Sequence, residues 1–427
     1  SKATNSSKEI NHYSKLSNIL APLTIKYTSP NKRLNFYIGK INNITFGYGS
    51  LIKRYTNTIN YPLIKDCGIT LNYKSDAEDF TLKYFTSSID ELINNGGITG
   101  IYTTKRIKSI KKLRIGFGMI YDHNQFSSTI DSIWFETPKS KRSISAYQLN
   151  INYELKSELL NDIYLFSEFT SIVYPENLRY IRNEEVNWDT TLTKQGFERK
   201  NSFGILGPGI HWKIGHYKNI KFALNYSSSL YTTPFFSQTY NLERAYYITS
   251  SILDSINANE PYAEDAKWNS MITKYNTNLD STAYYLSKDI YELLNPTINV
   301  YNKIGIFFEY SKEYKKYYKY SLDINIMQEI KNDNPNNYYT LGLNLFINEG
   351  LIKKISELNL YFNQYFTSKP FDTSLLINNT VFGSNIKINI LKNIFLKIYR
   401  HDVFYDNNLD GNNDLNTTMG ISLIKQY

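Results

Sequence analysis

The sequence predicts an all-β fold, a single antiparallel up-and-down transmembrane β-barrel of about sixteen strands (range roughly twelve to eighteen), with one long loop or plug segment. Segments in which apolar and polar residues alternate recur along the chain. Short connections rich in Asn, Asp, Lys and Gly separate them. The 427 residues also include 39 Tyr, 23 Phe and 4 Trp, and aromatic residues favour strands and membrane–water interfaces.

The composition is compatible with a barrel although it looks soluble. The mean hydropathy is −0.43, but barrel strands expose only alternate residues to lipid. The absence of an apolar run of about 18 residues predicts that no helix crosses the membrane. Cys67 is the single cysteine, which excludes an intrachain disulfide and a cysteine-based metal site. The net charge of +9 is scattered rather than clustered with a motif, so no nucleic-acid partner is expected.

The N-terminal part predicts a segment outside the barrel followed by short strands. Residues 1–19 are polar and are expected to be a mobile or lumenal N-terminal segment, with the barrel occupying 20–427. Residues 34–48 contain two short strand candidates around a tight turn at Asn42 and Asn43. Gly47 and Gly49 leave room for close packing inside a curved sheet.

A regular series of hairpins follows. In LRIGFGMIYD (113–122), alternation predicts that Phe117 and Met119 face lipid while Arg114 faces the lumen. Pro208 is expected to lie at a bulge or a strand start. The predicted strands of this half are 68–74, 79–87, 98–105, 113–122, 143–155, 162–175, 201–215 and 220–232.

Residues 233–295 interrupt the series. This range is most simply a long extracellular loop or a constriction segment folded into the lumen. The remainder again alternates, with predicted strands at about 297–310, 316–329, 337–347, 357–367, 373–390, 394–405 and 415–427.

The last strand carries a family resemblance. Met419, Ile421, Leu423 and Tyr427 share one face, and the sequence stops on an aromatic residue. This pattern resembles the closing strand of Gram-negative outer-membrane β-barrels, although Lys425 departs from it. The stretch NFYIGKINNITFGYGSLIKRYTNTINYP is similar to the N-terminal part of uncharacterised bacterial outer-membrane barrel proteins.

The resemblance implies a location and partners. The location would be the outer membrane of a Gram-negative bacterium. The partners would be the lipid bilayer with its lipopolysaccharide and the barrel-insertion machinery, which reads the last strand. Other outer-membrane or secretion subunits are further candidates.

The stretch DNNLDGNND (406–414) is the best local motif for a ligand. Oxygen donors at alternate positions followed by a glycine suit a compact Ca²⁺ loop. Asp406, Asn408, Asp410 and Asp414 would be the ligands. The alternative is an Asx-rich hairpin loop between the last two strands. No other cofactor is expected.

No enzymatic motif is present, so an enzyme is not expected. His211 and His216, the closest pair of histidines, fall on opposite faces of a strand. The preferred function is a channel or transporter for small polar solutes, weakly anion-selective, with Lys83, Arg114, Lys387 and Lys397 lining the pore. One alternative is a structural barrel that anchors a surface or secretion assembly. Another is a soluble β-rich surface or viral coat protein.

Overall fold

The computed structural model describes most of the predicted barrel. The described residues are 25–41, 43–58, 67–75, 79–110, 112–128, 142–158, 161–173, 180–181, 196–197, 202–215, 217–229, 231–248, 272–276, 282–288, 301–314, 317–331, 333–349, 351–367, 380–391, 394–405 and 414–425.

The described residues include twenty-two strands and three short helical segments. The strands are β1 Ile25–Thr28, β2 Leu34–Gly39, β3 Gly68–Lys74, β4 Phe80–Thr86, β5 Ile98–Arg106, β6 Leu113–Asp122, β7 Ile144–Glu158, β8 Asn161–Val173, β9 Tyr180–Ile181, β10 Gly196–Phe197, β11 Ser202–Ile214, β12 Lys218–Ser227, β13 Ala245–Ile248, β14 Ile272–Asn276, β15 Thr282–Ser287, β16 Lys303–Tyr314, β17 Tyr318–Glu329, β18 Asn337–Asn348, β19 Ile355–Thr367, β20 Thr380–Leu391, β21 Ile394–Tyr405 and β22 Asp414–Lys425. The helical segments are α1 Ile89–Ile93, α2 Tyr240–Glu243 and a 3₁₀ helix at Gln125–Ser128. No helix in the described ranges has the length and the apolar content needed to cross a membrane.

Seventeen of these strands form one antiparallel meander. Each strand pairs with the next in chain order, from β1 to β8, then β11, β12, and β16 to β22. The remaining strands form a two-stranded and a three-stranded sheet. The expected all-β, up-and-down fold is therefore confirmed, and seventeen lies within the predicted range of strand numbers.

The two faces of the sheet have opposite chemistry, because side chains alternate along each strand. On β6 the ring of Phe117 is 48% exposed, while Gly116 and Gly118 beside it are buried. The outward face carries exposed apolar side chains on strand after strand, including Phe117, Leu149, Ile151, Leu165, Phe169, Ile210, Phe222, Leu224, Ile304, Ile306, Leu343, Leu360, Met419 and Ile421. The inward face carries buried polar ones, including Gln148, Asn150, Glu168, Thr170, Asn225, Asp323, Asn325 and Asn363. A polar inside and an apolar outside is the arrangement that a lipid environment requires.

The two ends of the sheet differ in the length of their connections. At one end, here called the short-turn end, hairpins such as 107–112 join neighbouring strands, and β22 ends there. At the other, the long-connection end, the chain makes its long excursions, among them 40–67 and 228–302. The first of these excursions enters the barrel.

Most strand predictions hold, with an error near the N-terminus and a shift at β16, which spans Lys303–Tyr314 rather than 297–310. The register of β11 shifts between Leu206 and Gly209, which confirms the bulge expected at Pro208. The prediction of a second strand within 34–48 is wrong. After Gly39 the chain leaves the sheet, and Ile44 makes only an isolated bridge to Tyr55. The physical reason is that the backbone after Gly39 bonds to itself and to a second segment rather than to a neighbouring strand, as Ile44 does with Tyr55 and Lys53 with Phe236.

Candidate functional site

The excursion between β2 and β3 is the centre of the candidate site. Residues 40, 41 and 43–58, here called the lumenal segment, lie against the inner face of the sheet. The ring of Tyr55 lies 5.6 Å from that of Phe85 on β4. The guanidinium of its neighbour Arg54 donates to Asn363 on β19 at 2.8 Å.

Contacts from two adjacent residues to β4 and β19 require a curled sheet. Ten strand spacings separate β4 from β19 in the pairing order, which would be roughly 48 Å in a flat sheet. Consecutive Cα atoms are only about 3.8 Å apart. The sheet therefore wraps around the lumenal segment, as the wall of a barrel does.

The first anchor of the segment is the carboxylate of Glu168 on β8, which is fully buried. It accepts hydrogen bonds from the backbone amides of Tyr48 and Ser50, each at 2.8 Å, and from the Ser50 hydroxyl. Asn150 donates to it as well, at 3.1 Å. None of the ion pairs found among the described residues includes Glu168, so amide and hydroxyl donors satisfy this carboxylate.

Gly47 allows the close approach to Glu168. Its φ is +53°, a region that side chains rarely adopt. A Cβ at this position would overlap Oε2 of Glu168 and Nε2 of Gln148. Beside it, the Tyr48 ring stacks on Phe166 with centroids 3.7 Å apart. Burial, reinforced by the Glu168 charge, raises the pKa of the Tyr48 hydroxyl well above its usual value.

The second anchor is ionic and lies across the lumen on β17. The ammonium of Lys53 is 2.9 Å from Oδ2 of Asp323, and Arg54 bonds to the other carboxylate oxygen. Glu309 on β16 lies 3.8 Å from Lys53 and also receives a hydrogen bond from Lys221, at 2.6 Å. Burial alone would lower the pKa of Arg54, but the charge of Asp323 holds it above its usual value.

An apolar core packs the lumenal segment against strands β4 to β8 near the long-connection end. The chain that follows β12 returns over the lumenal segment as a second lumenal segment, residues 231–244. Ile52 forms a parallel bridge with Phe236, and Tyr240 packs on the Phe236 ring at 4.5 Å. The cluster also includes Phe46, Leu51, Tyr55, Phe85, Ile98, Ile120, Ile144, Tyr231 and Phe235, all nearly or fully buried.

Arg244 fixes the end of the second lumenal segment. Its side chain is fully buried, and it donates twice to Asp122 at the end of β6, at 2.9 and 2.8 Å. It also bonds to Glu91 on α1 at 3.0 Å. Burial opposes the charge of Arg244, but Asp122 and Glu91 together hold its pKa above the usual range. This network ties the lumenal core to the loops of the long-connection end.

Among the described residues, the lumenal segment borders two cavities. One, of about 430 Å³, lies between the segment and strands β17 to β21 and is here called the β17–β21 cavity. Its lining residues Lys319, Glu357 and Lys397 lie within three residues of strand starts at the short-turn end, so the cavity extends toward that end. The other, the β2–β4 cavity, has a volume of about 600 Å³, and Lys40 borders both.

The structure gives positions for the four predicted pore-lining cations. Lys83 donates to the backbone carbonyl of Thr45 in the lumenal segment at 3.4 Å, and Lys397 lines the β17–β21 cavity. Arg114 alternates with the outward Phe117, so it belongs to the inward face. Lys387 is the register partner of Lys397 and lies over the Phe395 ring at 4.1 Å. That these side chains line an open pore stays a prediction.

The remaining predicted residues are only partly described. Met419 and Ile421 on β22 are 60% and 72% exposed, whereas the side chain of Leu423 and the whole of Tyr427 lie outside the described residues. Most of the 406–414 loop also lies outside them, and only the backbone of Asp414 is described, at the start of β22. Within the described ranges, no group of three or more His, Cys, Asp or Glu could hold a metal ion. Calcium binding by the loop stays a prediction, as does the role of β22 in membrane insertion.

Sequence reasoning missed both anchors. Glu168 and Asp323 lie within strands, at positions whose side chains are buried, and their partners are more than a hundred residues away in the chain. The sequence nevertheless contains a pattern that indicates these two anchors. Each is an acidic residue on the polar face of a clearly alternating strand, and the run GYGSLIKR offers glycines and two cations without any alternation.

The comparisons with known proteins identify no family. No protein-family model matches the chain, and no curated protein matches it. Among solved structures, CdiB from Acinetobacter baumannii aligns with a TM-score of 0.38 and 7% identity, over 92% of this chain and 57% of CdiB. The siderophore receptor PirA from Pseudomonas aeruginosa aligns with a TM-score of 0.32 and 10% identity, over 94% of this chain and 69% of PirA. A Pseudomonas aeruginosa FadL homologue aligns with a TM-score of 0.24 and 8% identity, over 91% of this chain and 86% of that one.

At these identities and TM-scores the likenesses carry no argument about what the chain does. The chain also spans little more than half the length of CdiB. The class of protein follows from the meander of seventeen strands, its polar inner face and its apolar outer face. This chain has the fold of a transmembrane β-barrel, with two segments packed inside its lumen.

Proposed function

We propose that the protein lies in the outer membrane of a Gram-negative bacterium and carries small polar solutes across it, with anions favoured, through a lumen that the lumenal segment closes. The observation that carries the proposal is how this segment is held. Both its anchors consist of hydrogen bonds and ion pairs to the inner wall, which polar groups or water can replace when the segment moves.

The preference for anions rests on the charges beside the cavities. Lys40 and Lys83 border the β2–β4 cavity, and Lys40 and Lys397 border the β17–β21 cavity. A narrow channel with low-dielectric walls focuses the field of such charges and enriches ions of the opposite sign.

An anchoring barrel is the second candidate function, because an apolar core also packs the lumenal segment against strands β4 to β8. In that case the segment never leaves, and the barrel holds a surface or secretion assembly in the membrane.

Reversal potentials test the proposal. Gly39 and Gly68 are register partners on β2 and β3, so a short Gly/Ser linker can replace residues 41–66 without breaking the hairpin. In a KCl gradient across a planar bilayer, this variant should show a reversal potential of the sign expected for chloride. Replacing Lys83 and Lys397 by Gln in the same background should move the potential toward zero. Cation selectivity would contradict the charge assignment, and a silent linker variant would favour the anchoring barrel.

A further inference from the structure

The β17–β21 cavity has features of a binding site as well as of a passage. Its volume of about 430 Å³ falls within the range of about 300–1,000 Å³ typical of small-molecule sites. The lumenal segment forms one side of it through Lys40, Asn43, Arg54, Thr56 and Thr58. A ligand there would touch both the movable segment and the fixed wall.

The charges around this cavity favour an anion. Among the described lining residues, the cations are Lys40, Lys319, Lys397 and Arg54, and the only carboxylate is Glu357. The charge of Arg54 is already matched by Asp323. Lys319 likewise lies 3.8 Å from Glu313. The other two lysines, Lys40 and Lys397, face the one glutamate, and an anionic group beside Lys397 would reduce this imbalance.

The rest of the wall offers hydrogen bonds to a hydroxylated molecule. Side-chain amides line the cavity at Asn43, Gln238, Asn344, Asn359, Asn363 and Asn385. Among the described residues, Nδ2 of Asn344 and Oδ1 of Asn385 have no hydrogen-bond partner. A buried polar atom without a partner costs free energy, which a ligand hydroxyl group would recover.

Aromatic side chains complete the cavity wall. Tyr361 and Tyr399 line it, and their hydroxyl-bearing rings provide both apolar faces and polar edges. The ammonium of Lys40 lies 5.3 Å from the centre of the Tyr399 ring, which places a cation of the lumenal segment beside this aromatic wall. The β2–β4 cavity, by contrast, is bordered by Ile41, Ile44, Phe46 and Phe85 and offers fewer amides.

We infer that the β17–β21 cavity binds a small organic anion, a carboxylate or phosphate ester on a hydroxylated body such as a sugar acid. Lys397 meets the anionic group, the asparagines meet the hydroxyl groups, and the tyrosines cover the ring. The inference deepens the proposed function, on which it rests, by assigning a substrate class to this cavity.

The register of β20 and β21 supplies a matched pair of variants. Lys387 and Lys397 lie directly opposite each other on neighbouring strands, but only Lys397 lines the cavity. Lys397→Gln and Lys387→Gln therefore remove the same charge from nearly the same depth of the lumen, and only the first removes a cavity contact.

Isothermal titration of the full-length protein in detergent, with glucuronate, glucose 6-phosphate and glucose as probes, tests the site. We expect at least one of the two anions to bind about tenfold more tightly than glucose or better, a difference that one charge-assisted hydrogen bond can produce. Lys397→Gln should abolish this preference, whereas Lys387→Gln should preserve it.

Three results would overturn the inference: no binding of either anion, equal binding of glucose and the anions, or equal losses in the two lysine variants. Equal losses would show that only the general field of the lumen acts on anions. The bilayer recordings are independent of the titration. An anion-selective conductance without measurable binding would support the proposed function and contradict the inference. Binding without conductance would support the anion site and contradict the proposed transport.

Discussion

The two anchors of the lumenal segment hold it by different chemistry. At Glu168, backbone amides, a hydroxyl and a side-chain amide surround a carboxylate. At Asp323, two cations from consecutive residues bind a carboxylate directly. The first anchor depends on the shape of the turn at residues 47–50, and the second depends on charge.

This difference indicates how each anchor would fail. A carboxylate held by neutral donors loses hydrogen bonds when it is altered, but it leaves no unmatched charge in the wall. Removal of the Asp323 carboxylate leaves three largely buried cations, Lys53, Arg54 and Lys221, beside the single carboxylate of Glu309, which is much more costly. Loss of the Asp323 carboxylate should therefore lower the free energy of unfolding more than loss of the Glu168 carboxylate. The Glu168 anchor should depend more on the backbone shape of the turn at residues 47–50.

Asp323→Asn should have the largest effect on stability. It leaves Lys53 and Arg54 without their shared carboxylate, and breaking a buried ion pair in this way costs about 3–5 kcal/mol. The free energy of unfolding, from urea titration of the barrel in lipid vesicles, measures the loss. Asp79→Asn is the matched control. Asp79 lies 4.0 Å from Arg106 with both side chains 43% exposed, and such surface pairs contribute only about 0–1 kcal/mol. Similar losses for the two variants would show that the Asp323 anchor does not hold the segment.

Glu168→Gln should cost less, about 1–3 kcal/mol. Glutamine keeps one acceptor, but its NH₂ group faces donors from the turn at residues 47–50. The same urea titration measures the effect, with Glu313→Gln as the control because Glu313 is 54% exposed and lies 3.8 Å from Lys319. A loss at Glu168 larger than that at Asp323 would reverse the ranking of the two anchors.

Gly47→Ala should lower the free energy of unfolding least of the three variants, once the cost of a left-handed backbone at alanine is subtracted. Gly215→Ala provides the subtraction, because Gly215 has a similar φ of +59° and nothing within 4 Å of the added Cβ. In both variants the left-handed backbone destabilises the folded state by about 1–2 kcal/mol. Only Gly47→Ala also displaces Glu168, so its excess loss should be positive and no larger than that of Glu168→Gln. Identical losses for the two glycine variants would show that the close contact to Glu168 is not maintained.

The comparison also explains how far the sequence could predict this structure. The bounds of β6 and β21 match their predictions because alternation is a local property of the chain, and each strand carries its own pattern. The lumenal segment was missed because its partners, Glu168 and Asp323, become neighbours only after the barrel forms. The apolar residues Ile41 and Phe46 favour a strand in the sequence, since a chain packed inside a lumen needs apolar side chains as much as a strand does.

The same limit applies to the long interruption at 233–295. Its position was predictable from the loss of alternation. Its role as a constriction stays a prediction, although residues 233–244 of this range pack on the lumenal segment. Nothing local in PFFSQTYNLER predicts that Phe236 pairs with Ile52 rather than lying in an outer loop.

The most direct test of the central claim, that the lumenal segment closes the lumen, is single-channel conductance in planar bilayers. The intact protein is compared with the variant in which a Gly/Ser linker replaces residues 41–66. A variant with a shortened connection between β19 and β20 controls for the effect of shortening a loop. We predict that the intact protein and the control are closed for most of the recording and that the linker variant conducts continuously. Equal conductance in all three, or a closed linker variant with normal heat-modifiable migration in gels, would contradict the claim.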